Sequence, residues 1–245
     1  MGMGRVVLMA GFGFLHLWGG WNYRIVSPLM GTLGTIAINK SESKKRYIIR
    51  VEVRTKGIAG VLTGKRRENY RSEGVREERI LKSRLLYLER KTNRKRQIDE
   101  YRIDPVKKQV VKQRMRWKNG HPDRNSSKTL PFYSQEDLLT LTFNVFPKVL
   151  KEKSKKHWEI LAVGAEKIKG KIMIDRLAGS LAEKEKKRLK AGAEDTMVVL
   201  SSPEKIGGKK NRRFVVAVDR QGIPRKLRFV AIPLVGEIFV ERVNR

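Results

Sequence analysis

The sequence predicts a mainly β fold: a large antiparallel meander forming a barrel, a half-open barrel or a sandwich, with one apolar helix packed inside or across it. Three observations lead to this prediction. Apolar and polar residues alternate with period two over most of the chain, as in half-buried strands. Polar, Gly-bearing or Pro-bearing turns separate these stretches. One apolar stretch has helical spacing instead.

The alternation is clearest in RYIIRVEVRTK, where every second residue from Tyr47 to Thr55 falls on one side and mostly charged residues fall on the other. The further strand candidates are GTLGTIAINK, SRLLYLERKTN, RQIDEYRID, KQVVKQRMRWKN, HWEILAV, KIKGKIMID, DTMVVLS, RRFVVAVD, RKLRFVAIP and GEIFVERV. Between two of the last strands, DRQGIP predicts a hairpin turn. In that turn Gly222 takes a positive φ and Pro224 opens the next strand.

Residues 134–150 predict the buried helix. Leu138, Leu141 and Val145 recur at helical spacing, and Ser134 precedes Asp137 by three positions, which is an N-cap pattern. A nearly all-apolar helix among strands has to be buried, so we expect it inside or across the mouth of the curved sheet. A second helix, SLAEKEKKRLK, is charged on nearly all sides and is predicted to be an exposed excursion between strands.

The N-terminus differs from the rest of the chain. One arginine, Arg5, precedes an uncharged apolar run of about thirteen residues from Val6 to Trp18. This length matches the apolar region of a signal peptide and is shorter than the roughly 20 residues that span a bilayer. We therefore expect residues 1–20 to be a signal peptide or an N-terminal hydrophobic anchor, followed by a single antiparallel β domain over residues 21–245.

The charge balance is strongly basic, since 56 Lys and Arg stand against 25 Asp and Glu, a formal net charge of +31. Such an excess favours contact with an anionic partner, whether a nucleic acid, lipid headgroups or an acidic polymer. The chain has no cysteine, which excludes disulfides, zinc-thiolate sites and thiol catalysis.

The stretch KQRMRWKN is the candidate binding surface. Its basic residues alternate with Met115 and Trp117, so an extended strand would place the two sets on opposite faces. We expect the apolar interior to include Met115 and Trp117 together with the helix residues Leu138, Leu141 and Val145. The predicted ligand-binding face, on the outer side of the sheet, consists of Lys112, Arg114, Arg116 and Lys118.

Catalysis has little support in the sequence. The three histidines, His16, His121 and His157, lack a neighbouring nucleophile or metal-ligand spacing, and we interpret them as solvated or packing residues. The acidic pairs are adjacent in sequence, which on a strand points them to opposite faces. We therefore expect no enzymatic activity, no catalytic residues, no metal site and no cofactor.

Four segments carry a family resemblance: YRIVSPLMGTLGTIAI (Tyr23–Ile38), YIIRVEVRTKGIAGVLTGKRRENYRSEG (Tyr47–Gly74), LPFYSQEDLLTLTFNVF (Leu130–Phe146) and VDRQGIPRKLRFVAIPLVGEIFVERV (Val218–Val243). In order and spacing they resemble the bacterial exported proteins catalogued as domain of unknown function 3108. The resemblance implies a mainly β protein exported by diderm bacteria, without an assigned activity and without functional residues to carry over.

These observations together predict an uncharacterised exported protein of the periplasm or cell envelope, anchored to the membrane if the N-terminal segment stays uncleaved. The predicted function is non-enzymatic binding of an anionic or lipidic envelope component, with the headgroup on the basic face and the tails against the helix. Two alternatives remain. One is a nucleic-acid-binding protein that uses the basic sheet face, which export would disfavour. The other is a purely structural envelope protein.

Overall fold

The computed structural model describes residues 20–152, 154–165, 169–201, 213–232 and 236–243; the predicted N-terminal signal or anchor therefore lies outside the described residues, apart from residue 20. The strands are β1 (Trp21–Ser27), β2 (Gly31–Glu42), β3 (Arg46–Thr55), β4 (Arg67–Glu77), β5 (Ile80–Lys91), β6 (Lys95–Asp104), β7 (Gln109–Lys118), β8 (His121–Thr129), β9 (His157–Leu161), β10 (Lys171–Arg176), β11 (Thr196–Ser201), β12 (Arg213–Val218), β13 (Pro224–Ile232) and β14 (Gly236–Val243). The helices are α1 (Gly57–Leu62), α2 (Thr140–Lys151) and α3 (Gly179–Leu189).

All fourteen strands form one antiparallel sheet that is not closed, with β8 and β9 at its edges. The chain runs as two meanders, β1 to β8 and β9 to β14, and these are joined where β1 pairs with β14. The main hydrophobic core gathers buried residues from both meanders and from α2. The sheet therefore curves around this core, and we call the side facing it concave. The prediction of a mainly β antiparallel meander with an apolar helix packed against it is confirmed.

The strongest strand predictions are confirmed residue by residue. On β3 the side chains of Tyr47, Ile49, Val51 and Val53 are buried on the concave face. The DRQGIP turn forms as predicted, with a φ of 83° at Gly222 and β13 beginning at Pro224. The carboxylate of Asp219 accepts the N–H groups of Gln221 and Ile223, which stabilises the turn.

Helix α2 crosses the concave side, and its start is fixed by Asp137. The Oδ1 atom of Asp137 accepts the N–H groups of Leu139 and Thr140 at 2.7 and 2.8 Å. Its Oδ2 atom accepts the hydroxyls of Ser72 on β4 and Ser83 on β5 at 2.5 and 2.7 Å. The predicted N-cap role of Ser134 is wrong, because its hydroxyl donates to Leu161 O and accepts from Glu136 N. The helix begins six residues later, at Thr140.

The predicted apolar helix residues differ in burial. Leu141 and Val145 are 0% and 3% exposed and belong to the main core, as expected. Leu138 precedes the helix and is partly buried against the same core. Val163, which follows β9, donates its N–H to Glu136 O and accepts the N–H of Leu138 at its carbonyl oxygen. These two backbone hydrogen bonds connect the segment before α2 to the end of β9.

Helix α3 is not the fully exposed excursion that the sequence predicted. Its Ala182 and Leu189 are buried in a second, smaller core on the convex face, formed with residues of β11 and β12. On β13 the guanidinium of Arg228, 4% exposed, binds Glu185 of the helix at 2.7 Å. It also binds Glu237 of β14 at 2.8 Å. The charged pattern concealed this contact because only two small or apolar positions of α3 face the sheet.

Candidate anion-binding site on the concave face

The concave face of β4 to β7 carries buried charges. Glu68 on β4 is 0% exposed and forms an ion pair with Arg66, which is also buried. Directly opposite Glu68 on β5 is Arg90, whose side chain is 13% exposed. Burial raises the pKa of Glu68, and the two arginines act against that shift.

Asp99 on β6 lies at the centre of the charges and is 0% exposed. It forms a bidentate pair with Arg114 of β7, at 2.6 Å to Nε and 3.1 Å to Nη2. The Nζ of Lys112 and the Nη1 of Arg90 each lie 3.7 Å from its carboxylate. Burial by itself would raise the pKa of Asp99, but the neighbouring cations outweigh burial and hold that pKa below its usual range.

Lys112 is a buried lysine rather than a surface one. Its side chain is 5% exposed, and its ammonium donates to the hydroxyl of Tyr101 at 2.9 Å. Tyr101 belongs to the main core, so the lysine points toward the concave side. Such contacts hold a buried ammonium in place, because removing it from water without partners costs several kcal/mol.

The cluster opens to solvent at the sheet edge. Arg116 has a side chain 27% exposed and lies opposite Arg124 of β8, all of whose residues are exposed. Lys128 of β8 lies opposite Lys112. We define the concave cationic cluster as the seven basic residues of this region with their three carboxylates: Arg66, Arg90, Lys112, Arg114, Arg116, Arg124 and Lys128, with Glu68, Asp99 and Asp123. Seven cations against three carboxylates leave an excess of four positive charges.

The predicted face assignment of β7 is wrong. Side chains directly opposite one another in a sheet share a face, and Arg114 and Lys112 lie opposite the concave residues Asp99 and Tyr101. Arg116 and the exposed Lys118 share their parity. The basic row therefore lies on the concave face, not on the outer one.

Met115 and Trp117 consequently lie on the convex face, half-buried, where they pair with Ile98 and Arg96 of β6. The guanidinium of Arg96 lies 5.1 Å from the ring centroid of Trp117. Their predicted place in the interior is wrong. The sequence does not show which side of β7 faces the core, because Val110 and Val111 are both apolar and point to opposite faces. In the structure Val110, which is 0% exposed, belongs to the main core.

The sequence reasoning missed Arg66, Glu68, Arg90 and Asp99. A usable signal was present: Glu68 alternates with Tyr70 and Ser72, so a charged residue stands at a core position. Of the predicted solvated or packing histidines, His157 is solvated. His157 lies with Asp175 in an exposed pair, with 2.7 Å between Nδ1 and Oδ1. Among the described residues, no group of His, Asp and Glu is arranged to hold a metal ion.

A cluster of this kind can bind an anion without catalytic chemistry. Arginine presents a planar fork that matches phosphate and carboxylate oxygens, and such contacts strengthen where water is partly excluded.

Within the part of the chain that the structure describes, no helix has both the length and the apolar character to cross a bilayer.

Comparison with known proteins supports the fold and identifies a family resemblance over nearly the whole chain. A family profile described as a protein of unknown function, DUF3108, matches residues 21–241. A solved structure, a β-barrel-like protein of domain of unknown function DUF1849 from Brucella abortus, superposes with a TM-score of 0.50 at 11% sequence identity. The superposition covers 94% of this chain and 98% of that chain, and it shows a shared fold. None of the curated proteins compared with the chain shows a significant match.

Proposed function

We propose that this protein, which belongs to the DUF3108 family of proteins of unknown function, binds an anionic component of the cell envelope. The binding site lies on the concave face of its sheet, and the binding involves no catalysis. The observation that carries the proposal is the excess positive charge of the concave cationic cluster. Five of its cations are buried or half-buried with only two buried carboxylates, Glu68 and Asp99. Like charges collected in such a place do not stabilise a protein, so an anion bound there would lower its energy.

The position of the cluster suggests what such an anion would be attached to. The cations and helix α2 lie on the same, concave side of the sheet. A lipid with a phosphate or carboxylate headgroup could place its charge at the cluster and direct its apolar part toward the core side. The chemistry common to all candidates is a phosphate or carboxylate group, and the experiment has to separate a free anion from a lipid headgroup.

Calorimetric titration provides the test, with inorganic phosphate and a short-chain, water-soluble phosphatidic acid as the two probes. Arg116→Gln should weaken the binding of both probes about 10- to 100-fold, because a charge-assisted contact contributes about 1.5–3 kcal/mol. Arg102→Gln is the matched control. Arg102 has a side chain 71% exposed and binds Glu100 on the convex face, so its loss should leave binding unchanged.

The two probes distinguish the sources. Tighter binding of phosphatidic acid than of phosphate supports a lipid ligand, whereas equal binding supports a free or polymeric anion. Failure of both probes to bind, or equal loss in Arg102→Gln and Arg116→Gln, would contradict the proposal and favour a purely structural envelope protein. Binding of a single-stranded oligonucleotide that weakens steeply with salt would favour the nucleic-acid alternative instead.

Export to the periplasm is part of the same proposal and rests on the apolar N-terminal segment. Fractionation of a diderm host that makes the native chain, followed by N-terminal sequencing, tests it. A mature chain that begins near residue 20 in the periplasmic fraction is the expected result. An intact N-terminus in the membrane fraction would indicate an uncleaved anchor, and recovery from the cytoplasm would contradict export.

A further inference from the structure

The short helix α1 has an unusual distribution of apolar residues. Its small residues face the protein, since Gly60 is buried and Ala59 packs against the main core. Its large residues face outward: Ile58, Val61 and Leu62 are 55%, 78% and 73% exposed. These three positions follow the i, i+3, i+4 spacing of one helix face, so α1 presents an apolar face to solvent.

The turn from β1 to β2 adds a fourth apolar side chain at the same end of the sheet. Leu29 in that turn is 76% exposed. Helix α1 lies beside the first residues of β2, because Lys56 N donates to Leu33 O at 2.8 Å. We call Leu29, Ile58, Val61 and Leu62 the apolar tip.

The tip is held in place rather than loosely attached. The hydroxyl of Thr63 donates to Ala59 O at 2.6 Å and lies 3.1 Å from the hydroxyl of Thr55. Asn93 N, in the turn between β5 and β6, donates to Gly64 O at 3.0 Å. The orientation of the exposed apolar face is therefore set by hydrogen bonds to neighbouring strands and loops.

A row of exposed basic residues lies at the same end of the sheet as the tip. The pairs Arg67–Lys91 and Lys95–Lys118 lie opposite one another on adjacent strands of this end. The sequence has no acidic residue between Val53 and Glu68, nor between Glu89 and Asp99. We call the following exposed residues the basic rim: Lys56, Lys65, Arg67, Lys91, Arg94, Lys95 and Lys118.

We propose that this end of the sheet docks on the surface of an anionic lipid bilayer, with the apolar tip inserted among the headgroups and the basic rim against their charges. An apolar projection beside a row of cations suits such a surface, because apolar burial and attraction to anionic lipids then act together. A second copy of the chain is a poor occupant, since it would bring two basic rims together. A protein partner would need a contact of about 1,000 Å², for which four side chains are a small apolar centre.

The docking surface is separate from the concave cationic cluster, although both lie toward the same end of β4 to β6. The docked protein would hold that cluster near the bilayer. The two proposals can fail independently, because docking uses exposed residues of α1 and the loops whereas anion binding uses Arg116 and its neighbours.

Fluorescence of a site-attached dye tests docking, and the absence of cysteine makes the labelling specific. Val61→Cys and Val106→Cys in the full chain are each labelled with a polarity-sensitive nitrobenzoxadiazole dye. Val106 is the matched control, being 90% exposed in the turn between β6 and β7 at the opposite end of the sheet. On mixing with vesicles of equimolar phosphatidylcholine and phosphatidylglycerol, the dye at position 61 should brighten and shift to the blue, and the dye at position 106 should not.

A charge variant tests the rim. The double variant Lys56→Gln/Lys65→Gln should bind the anionic vesicles about 25-fold more weakly, since each basic residue near such a surface raises the affinity about fivefold. Binding to phosphatidylcholine vesicles should change little, and phosphate binding by the concave cluster should be unaffected. No spectral change at position 61, or equal changes at positions 61 and 106, would overturn the proposal even if the N-terminal segment itself binds vesicles.

Discussion

Replacing Asp137 with Ala should strongly destabilise the protein, because one buried carboxylate serves three elements at once. Asp137 is 0% exposed. It accepts hydrogen bonds from Ser72 on β4, from Ser83 on β5, and from the backbone N–H groups of Leu139 and Thr140 at the start of α2. Its removal separates the apolar helix from the sheet at the point where the helix begins.

The magnitude follows from the donors left without an acceptor. The two serine hydroxyls can rotate toward other acceptors, whereas the two backbone N–H groups are fixed in direction. Each unsatisfied buried donor costs about 1–3 kcal/mol, and two of them are fixed here. We therefore expect Asp137→Ala to lower the free energy of unfolding by about 3–5 kcal/mol. That corresponds to a fall in Tm of about 6–20 °C for a domain of this size.

Asp137→Asn should cost less, because the amide keeps the shape of the side chain and an oxygen for the two helix N–H groups. The serine hydroxyls would then accept from its NH₂ group instead of donating to an oxygen. Urea unfolding, followed by far-UV circular dichroism and tryptophan fluorescence, measures all three proteins. Asp104→Ala is the control, because Asp104 binds Val106 N and Lys107 N in an exposed turn and its loss should have little effect.

A double-mutant cycle with Ser83→Ala completes the test. If the carboxylate and hydroxyl act as a unit, the loss in Asp137→Ala/Ser83→Ala should be smaller than the sum of the two single losses. Additive losses, or an Asp137→Ala protein as stable as Asp104→Ala, would refute the assignment of Asp137 as the link between α2 and the sheet.

Three further predictions concern stability. Burial raises the pKa of Glu136 from 4.5 to about 7. The contribution of Glu136 to the free energy of unfolding is therefore fully present below about pH 4.5 and is lost as the pH rises through about 7. This loss amounts to at most about 3 kcal/mol. Glu136→Gln should abolish this fall in urea titrations across that range, and an unchanged pH profile would contradict it. Gly74→Ala should destabilise by about 1–3 kcal/mol, because its Cβ would lie 2.0 Å from Lys82 O; an unchanged urea midpoint would show that the strands separate there at no cost. Arg228→Met should leave Glu185 without its buried partner and cost about 3 kcal/mol. This variant should also be cleaved faster by trypsin in α3. Cleavage at the wild-type rate would contradict the role of Arg228 in holding α3 on the sheet.

The strands were predictable where one face is wholly apolar. From Tyr47 to Val53 every second side chain lies in the core, so the pattern records directly which residues leave water. The edge strand β8 has no such alternation of apolar and polar residues, because all nine of its residues are exposed. Its signal was the turn instead: Asn119 and Gly120 have φ values of 52° and 87°, the two-residue hairpin that Asn-Gly favours. The strand candidates named from the sequence accordingly include none over residues 121–129.

The candidate site was predictable only in part. The basic residues of β7 were identified, but their face was not, because alternation distinguishes two faces without saying which one meets the core. The partners that make Lys112 and Arg114 a cluster come from other strands, among them Glu68, Arg90 and Asp99. The exposure of Val61 could not be predicted from the sequence, because it follows from Gly60 and Ala59 taking the inner positions of α1.

The amino-acid sequence alone determined the β class, the apolar helix, the DRQGIP hairpin and the family, because each depends on neighbours within a few residues or on motifs in order. Only the tertiary structure decided that β1 pairs with β14, that the basic side of β7 faces inward, and that α1 turns its large residues to solvent. Those outcomes depend on which distant surfaces exclude water together, and a local pattern of polar and apolar residues holds no information about that choice.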